Sequence, residues 1–105
     1  MSQALIEKFP VEGKTFEISA RKWAARIAND PEPGSPLSPY PDMVLFDMEF
    51  QRTDAGASEV RRLRLWTSHA RLCNDVDYPA RLLDRVLEWL AASQAVSGEI
   101  WCLAS

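Results

Sequence analysis

The sequence predicts an α+β domain of the ferredoxin-like, split βαβ kind: βαββαβ, with a four-stranded antiparallel sheet and two helices on one face. Three observations lead there. Residues 43–67 hold two alternating runs around a small-residue turn, which is the pattern of a half-buried hairpin. Residues 77–93 carry an apolar stripe at helical spacing, opened by a capping aspartate and an early proline. Short alternating runs at 14–18 and 99–104 flank these, with a helically spaced segment at 19–29 between the first run and the hairpin.

Each element has its own justification. In residues 14–18 Phe16 and Ile18 share one side of a short strand, Gly13 supplies the turn before it, and residues 5–11 read as extra extended chain. Ser19 stands where a helix cap would stand, and Ala20, Trp23, Ala24, Ile27 and Ala28 follow as a stripe. That helix must stop near Asn29, because Pro31 excludes the helical conformation at Asp30. Residues 31–41 hold five prolines, which rules out helix and central strand and leaves a stiff, polyproline-like surface loop.

In the hairpin, Val44, Phe46, Met48 and Phe50 face the core, while Asp47, Glu49 and Gln51 face away. Leu63 and Leu65 oppose Arg62 and Arg64 in the second run. Core must meet core across the pair, so Leu63 should face Met48 or Phe50, and Glu49 should face Arg62 or Arg64. Residues 68–78 fit either a strand continued to Leu72 or irregular chain. In the second helix Leu83, Val86, Leu87, Leu90 and Ala91 form the expected core stripe, flanked by Leu82 and Trp89, with Leu87 among the buried leucines. In the last strand Ile100, Cys102 and Ala104 take one face, and Trp101 and Leu103 the other. The implied strand order is 4-1-3-2, all antiparallel. A sheet with an N-terminal hairpin from residues 5–18 is the rival arrangement.

A chain of 105 residues is read as one domain with a single core, residues 1–105 with the proline-rich loop at 31–41. The formal net charge of −3 argues against a nucleic-acid partner, which requires neutralised phosphates. No stretch is long and apolar enough to read as a membrane span or signal peptide, so the expectation is a cytoplasmic protein with no membrane partner. Cys73 and Cys102 fit reduced thiols there.

The chemistry-bearing residues form no diagnostic motif. Arg62 and Arg64 face the side to which Asp47 and Glu49 point, which reads as a charge ladder and not as an RNA site. His69, Cys73, Asp75 and Asp77 lack the spacing of a metal site, and paired carboxylates on an open sheet face lack a cleft to tune them. No phosphate loop, nucleotide fingerprint or nucleophile elbow occurs, so no cofactor and no metal are expected.

The tryptophans are more telling. Trp66 has the parity of Arg62 and Arg64, and Trp101 that of Leu103. Together with Leu45 they could form an apolar centre on an uncovered sheet face, rimmed by charge, as partner surfaces are. The competing reading is that Trp101 turns inward or that a terminal segment covers the patch. The sequence thus points to a small protein-binding or regulatory module using Trp66, Trp101, Arg62 and Arg64, with a protein partner or a second copy of itself. The alternative is a small enzyme or ligand-binding domain with a pocket near His69, Asp75 and Tyr40.

Overall fold

One long hairpin organises the molecule, and the rest of the chain is laid against it. The computed structural model describes residues 3–31, 42–54, 59–92 and 96–102. Strands β3 (Met43–Arg52) and β4 (Val60–Ser68) pair antiparallel, with Met48 opposite Leu63 and Glu49 opposite Arg62. This is one of the two registers that the core pattern allows. A slip of one residue would send Phe46, Met48 and Phe50 to the solvated face.

Among the described residues three further strands and three helices complete an α+β fold: α1 (Gln3–Lys8), β1 (Thr15–Ile18), β2 (Arg21–Ile27), α2 (His69–Asn74), α3 (Tyr78–Ala91) and β5 (Ser97–Cys102). The sheet runs β1-β2-β3-β4-β5. It is mixed: β1 to β4 pair antiparallel, and β5 lies parallel to β4.

This corrects the ferredoxin-like order of four antiparallel strands. The cause is local and lies in residues 19–29, which form β2 and not a helix. Ser19 and Ala20 sit at φ 55° and 62°, so they make a two-residue turn that folds β2 back onto β1. Two successive positive φ values are the signature of a primed hairpin turn, whose favoured residues are Asn and Gly. With β2 paired to β1, no helix is available to cross between the early strands. The sheet then grows strand by strand until α2 and α3 carry the chain back for a parallel β5. Because neither turn residue is glycine, both carry backbone strain. Replacing Ser19-Ala20 by Asn-Gly should raise stability by about 0.5–1 kcal/mol in urea titrations. An unchanged or lower midpoint would mean that the turn is relaxed.

The N-terminal segment also departs from expectation: residues 3–8 are helix α1, not extended chain. Leu5 and Phe9 are one helical turn apart, and the Phe9 amide donates to the Leu5 carbonyl (3.1 Å). Pro10 prevents a further turn. Helix α2 occupies the segment read as strand or irregular chain. Its cap is Ser68, whose hydroxyl accepts from the Arg71 amide (3.2 Å) and donates to Asp42 Oδ2 (2.8 Å).

The core lies between the three helices and one face of the sheet. Trp23, Ala25 and Ile27 of β2, the even-numbered residues Val44 to Phe50 of β3, Leu63 and Leu65, and Ile100 and Cys102 form the sheet side. Leu5 and Phe9, Leu72, and Tyr78, Leu82, Val86 and Leu90 close it. The buried line of α3 therefore runs through Tyr78, Leu82, Val86 and Leu90, one residue round from the expected stripe. Leu83 and Leu87 sit half-buried at its margin. Leu82→Ala should cost about 2–5 kcal/mol and Leu87→Ala clearly less. Equal losses in chemical denaturation would contradict this orientation of α3.

At the far end of α3, Arg61 does structural work. It is a charged residue on the core face of β4 and is buried. Its Nη1 donates to the carbonyls of Leu90 (2.6 Å) and Ala92 (3.0 Å), and its Nε donates to Glu59 Oε2 (3.0 Å). The guanidinium lies 4.7 Å from the centre of the Trp23 ring. It thus caps the open carbonyls of α3 and ties them to the sheet. Nearby, Gly98 leaves room for the indole of Trp89: a β-carbon there would stand 2.7 Å from Trp89 Nε1.

Candidate functional site

The helix-free face of the sheet carries the residues that face away from the core. Parity on each strand decides them: Ala24, Arg26 and Ala28 on β2 and its end, Leu45, Asp47 and Glu49 on β3, Arg62, Arg64 and Trp66 on β4, and Ser97, Glu99 and Trp101 on β5. All four expected site residues, Trp66, Trp101, Arg62 and Arg64, are therefore on one face. Leu45, Trp66 and Trp101 fall in one row across three strands.

The two tryptophans form a single unit. Their rings stack at 4.7 Å with planes 5° apart. Glu99, two residues before Trp101 and hence on its face, accepts from both indoles: Trp66 Nε1 donates to Oε2 (2.7 Å) and Trp101 Nε1 donates to Oε1 (3.3 Å). The pair is not uniformly open. Trp66 is 2% exposed and closes a small cluster with Met43 and Leu45, whereas Trp101 is 38% exposed. The expectation of an open face centred on Trp66 is corrected accordingly. Trp66 is itself buried, with Trp101 stacked on one side of its ring, and the accessible aromatic is Trp101.

Next to this unit the charge ladder forms. Arg62 Nε and Arg26 Nε each stand 3.2 Å from Glu49, on its two oxygens, and Arg64 Nε stands 3.4 Å from Asp47. In each case the arginine meets its carboxylate side-on through Nε. Among the described residues no hydrogen bond engages the terminal Nη groups of these three arginines. The hydrogen bond from Arg26, then its charge, with Arg62 adding to both, holds Glu49 below the usual carboxylate range against the opposing effect of partial burial.

The sign of the pH effect follows. Folding makes Glu49 harder to protonate, so its contribution to stability is present above the ordinary carboxylate range and is lost as the pH falls through the lowered value. Asp54 and Glu59 behave alike, held down mainly by hydrogen bonds from Arg52 and Arg61. The stability difference between wild type and Glu49→Gln should therefore shrink between about pH 6 and about pH 3 at low salt. A difference constant across that range would show that the ladder contributes nothing.

An open groove of about 610 Å³ runs over this charged end of the face. Asp47, Glu49, Arg62, Arg64 and Glu99 give it side-chain walls, the small side chains of Ala28 and Ser97 leave it wide, and Gly98 lines it with main chain. Met48 and Leu63 also line it, and since their side chains are in the core they do so with main chain.

The alternative site is not brought together in this way. His69 and Cys73 are one helical turn apart on α2, with Nε2 and Sγ 3.8 Å from each other, a contact that the irregular reading of this segment did not foresee. Asp75 is engaged by Arg71 (3.4 Å) and Arg81 (3.5 Å), and no hydrogen bond joins it to His69. Tyr40 and the proline-rich loop, apart from Pro31, lie outside the described residues, as do Leu103 and Ala104. Among the described residues no group of three or more His, Cys, Asp or Glu side chains is placed to hold a metal ion, and no helix is long and apolar enough to cross a membrane. Burial pushes the Cys102 thiol up, away from the reactive thiolate.

Two residues of this surface escaped the sequence reading. Glu99 was legible from parity with Trp101, but nothing in the sequence marks a carboxylate as the link between two indoles. Arg26 was hidden by the helical assignment of its segment. Comparison with protein-family models, with curated proteins and with solved structures finds no match to this chain.

Proposed function

We propose that this protein is a small protein-binding or regulatory module that acts through the helix-free face of its sheet. The observation that carries the reading is the Trp66–Glu99–Trp101 unit. Large aromatics at a water-facing position are usually loose, and fixing them on binding costs entropy. Here Trp101 is held in advance by a stacked neighbour and a carboxylate, so a partner would bury it at little cost in ordering. Tryptophan and arginine are also the residues most enriched among energetic anchors of protein interfaces, and Arg26, Arg62 and Arg64 lie on the same face of the sheet as Trp101.

The test uses the intact chain as bait, comparing wild type with Trp101→Ala and with Glu88→Ala, an exposed control on α3. A protein retained by wild type and by the control, and lost by Trp101→Ala with circular dichroism unchanged, is the expected result. Equal retention by all three would place the binding surface elsewhere.

A further inference from the structure

We infer that the partner of this face is a second copy of the chain, docked about a two-fold axis that runs along the seam between β3 and β4. The inference rests on the binding role proposed for the face and names its occupant. Charge on the face is sorted by strand: Asp47 and Glu49 form an acidic column on β3, and Arg62 and Arg64 a basic column on β4. Each acid stands level with its arginine, Glu49 with Arg62 and Asp47 with Arg64. A two-fold axis parallel to the strands exchanges the columns and keeps the levels. It lays the basic column of one copy over the acidic column of the other, so the contact is self-complementary as a two-fold interface must be.

The ladder within one chain leaves capacity for this. Among the described residues the arginines meet their carboxylates only through Nε, which leaves their terminal forks for a partner, and a carboxylate with one partner on an oxygen can accept more. Height matters as well as sign. The side chains of Arg62 and Arg64 are 74% and 53% exposed, against 20% and 30% for Glu49 and Asp47, so the arginines project while the acids lie low. The same face therefore carries both the projecting groups and the groove of about 610 Å³ that could receive them. An unrelated partner would need to match this two-column pattern, whereas a second copy has it by construction.

Sedimentation velocity on the full chain at low salt tests the inference. Wild type should sediment as a dimer of the 11.9 kDa chain and dissociate as salt is raised. Asp47→Arg with Glu49→Arg should weaken the dimer by about tenfold or more, and so should Arg62→Glu with Arg64→Asp. Combining all four substitutions exchanges the columns and restores the ladder, so that variant should dimerise with itself but not mix with wild type. A wild type that stays monomeric at every concentration overturns the inference, and so do a dimer that survives both single-column variants or a four-fold variant that mixes freely with wild type. The bait experiment with Trp101→Ala is independent of these outcomes. A monomeric protein that still loses a captured partner with Trp101 leaves the binding role standing without the second copy.

Discussion

Arg61→Ala is expected to remove about 3–5 kcal/mol of stability, a large share of the total for a small domain. The substitution does three things at once. It uncaps the Leu90 and Ala92 carbonyls at the end of α3, leaves Glu59 without its buried-side partner, and takes the cation from the face of Trp23. Lysine should not rescue it, because one ammonium cannot span the geometry that Nε and Nη1 divide between them. The control is Arg62→Ala, one residue away on the solvated face, where an exposed ion pair contributes about 0–1 kcal/mol. Urea midpoints for the three variants decide the matter. Equal, small losses at both positions would mean that the Arg61 contacts do not persist in solution.

Phe9→Ala should cost a similar amount, about 3–5 kcal/mol. Phe9 is fully buried just beyond α1, and its ring meets Phe46 edge to face with centroids 5.4 Å apart. Phe46 belongs to the central hairpin, so the contact makes the N-terminal segment part of the core. A double-mutant cycle with Phe46→Ala should show coupling of about 0.5–1.5 kcal/mol beyond the area lost. A Phe9→Ala protein that melts with the wild type would show that the N-terminal segment is only a loose cover.

What the sequence disclosed and what it concealed have the same physical origin. A strand of nine or ten residues with large apolar side chains along its core face, as in β3 and β4, writes an alternation that no helix can imitate. Hence Val44 to Phe50 and Leu63 to Leu65 gave the hairpin, its register and the face of Arg62, Arg64 and Trp66. Residues 21–27 failed that test. Trp23 and Ile27 lie four apart, which suits a helix and a strand equally, and the two alanines between them fit either face. The deciding fact was the left-handed Ser19-Ala20 turn, and those two residues do not advertise it as Asn-Gly would. From that single ambiguity came the wrong strand order. Trp66, Trp101, Arg62 and Arg64 nonetheless share one face, because β3, β4 and the last strand were read with correct parity. Burial of Trp66 was beyond parity, which assigns a side of a sheet but not what lies over it.

The parallel placement of β5 also has a consequence in time. Strands β1 to β4 each pair with the next strand in the chain, whereas β5 reaches β4 only after the whole of α2 and α3 has intervened. Closing that longer loop costs more entropy than closing the earlier connections, and non-local pairings are correspondingly slow to form. Glu99 and Trp101 belong to β5, and Trp66 to β4. The stacked indoles are therefore assembled from the two strands expected to meet last, so a nascent chain presents its finished surface only at the end of folding.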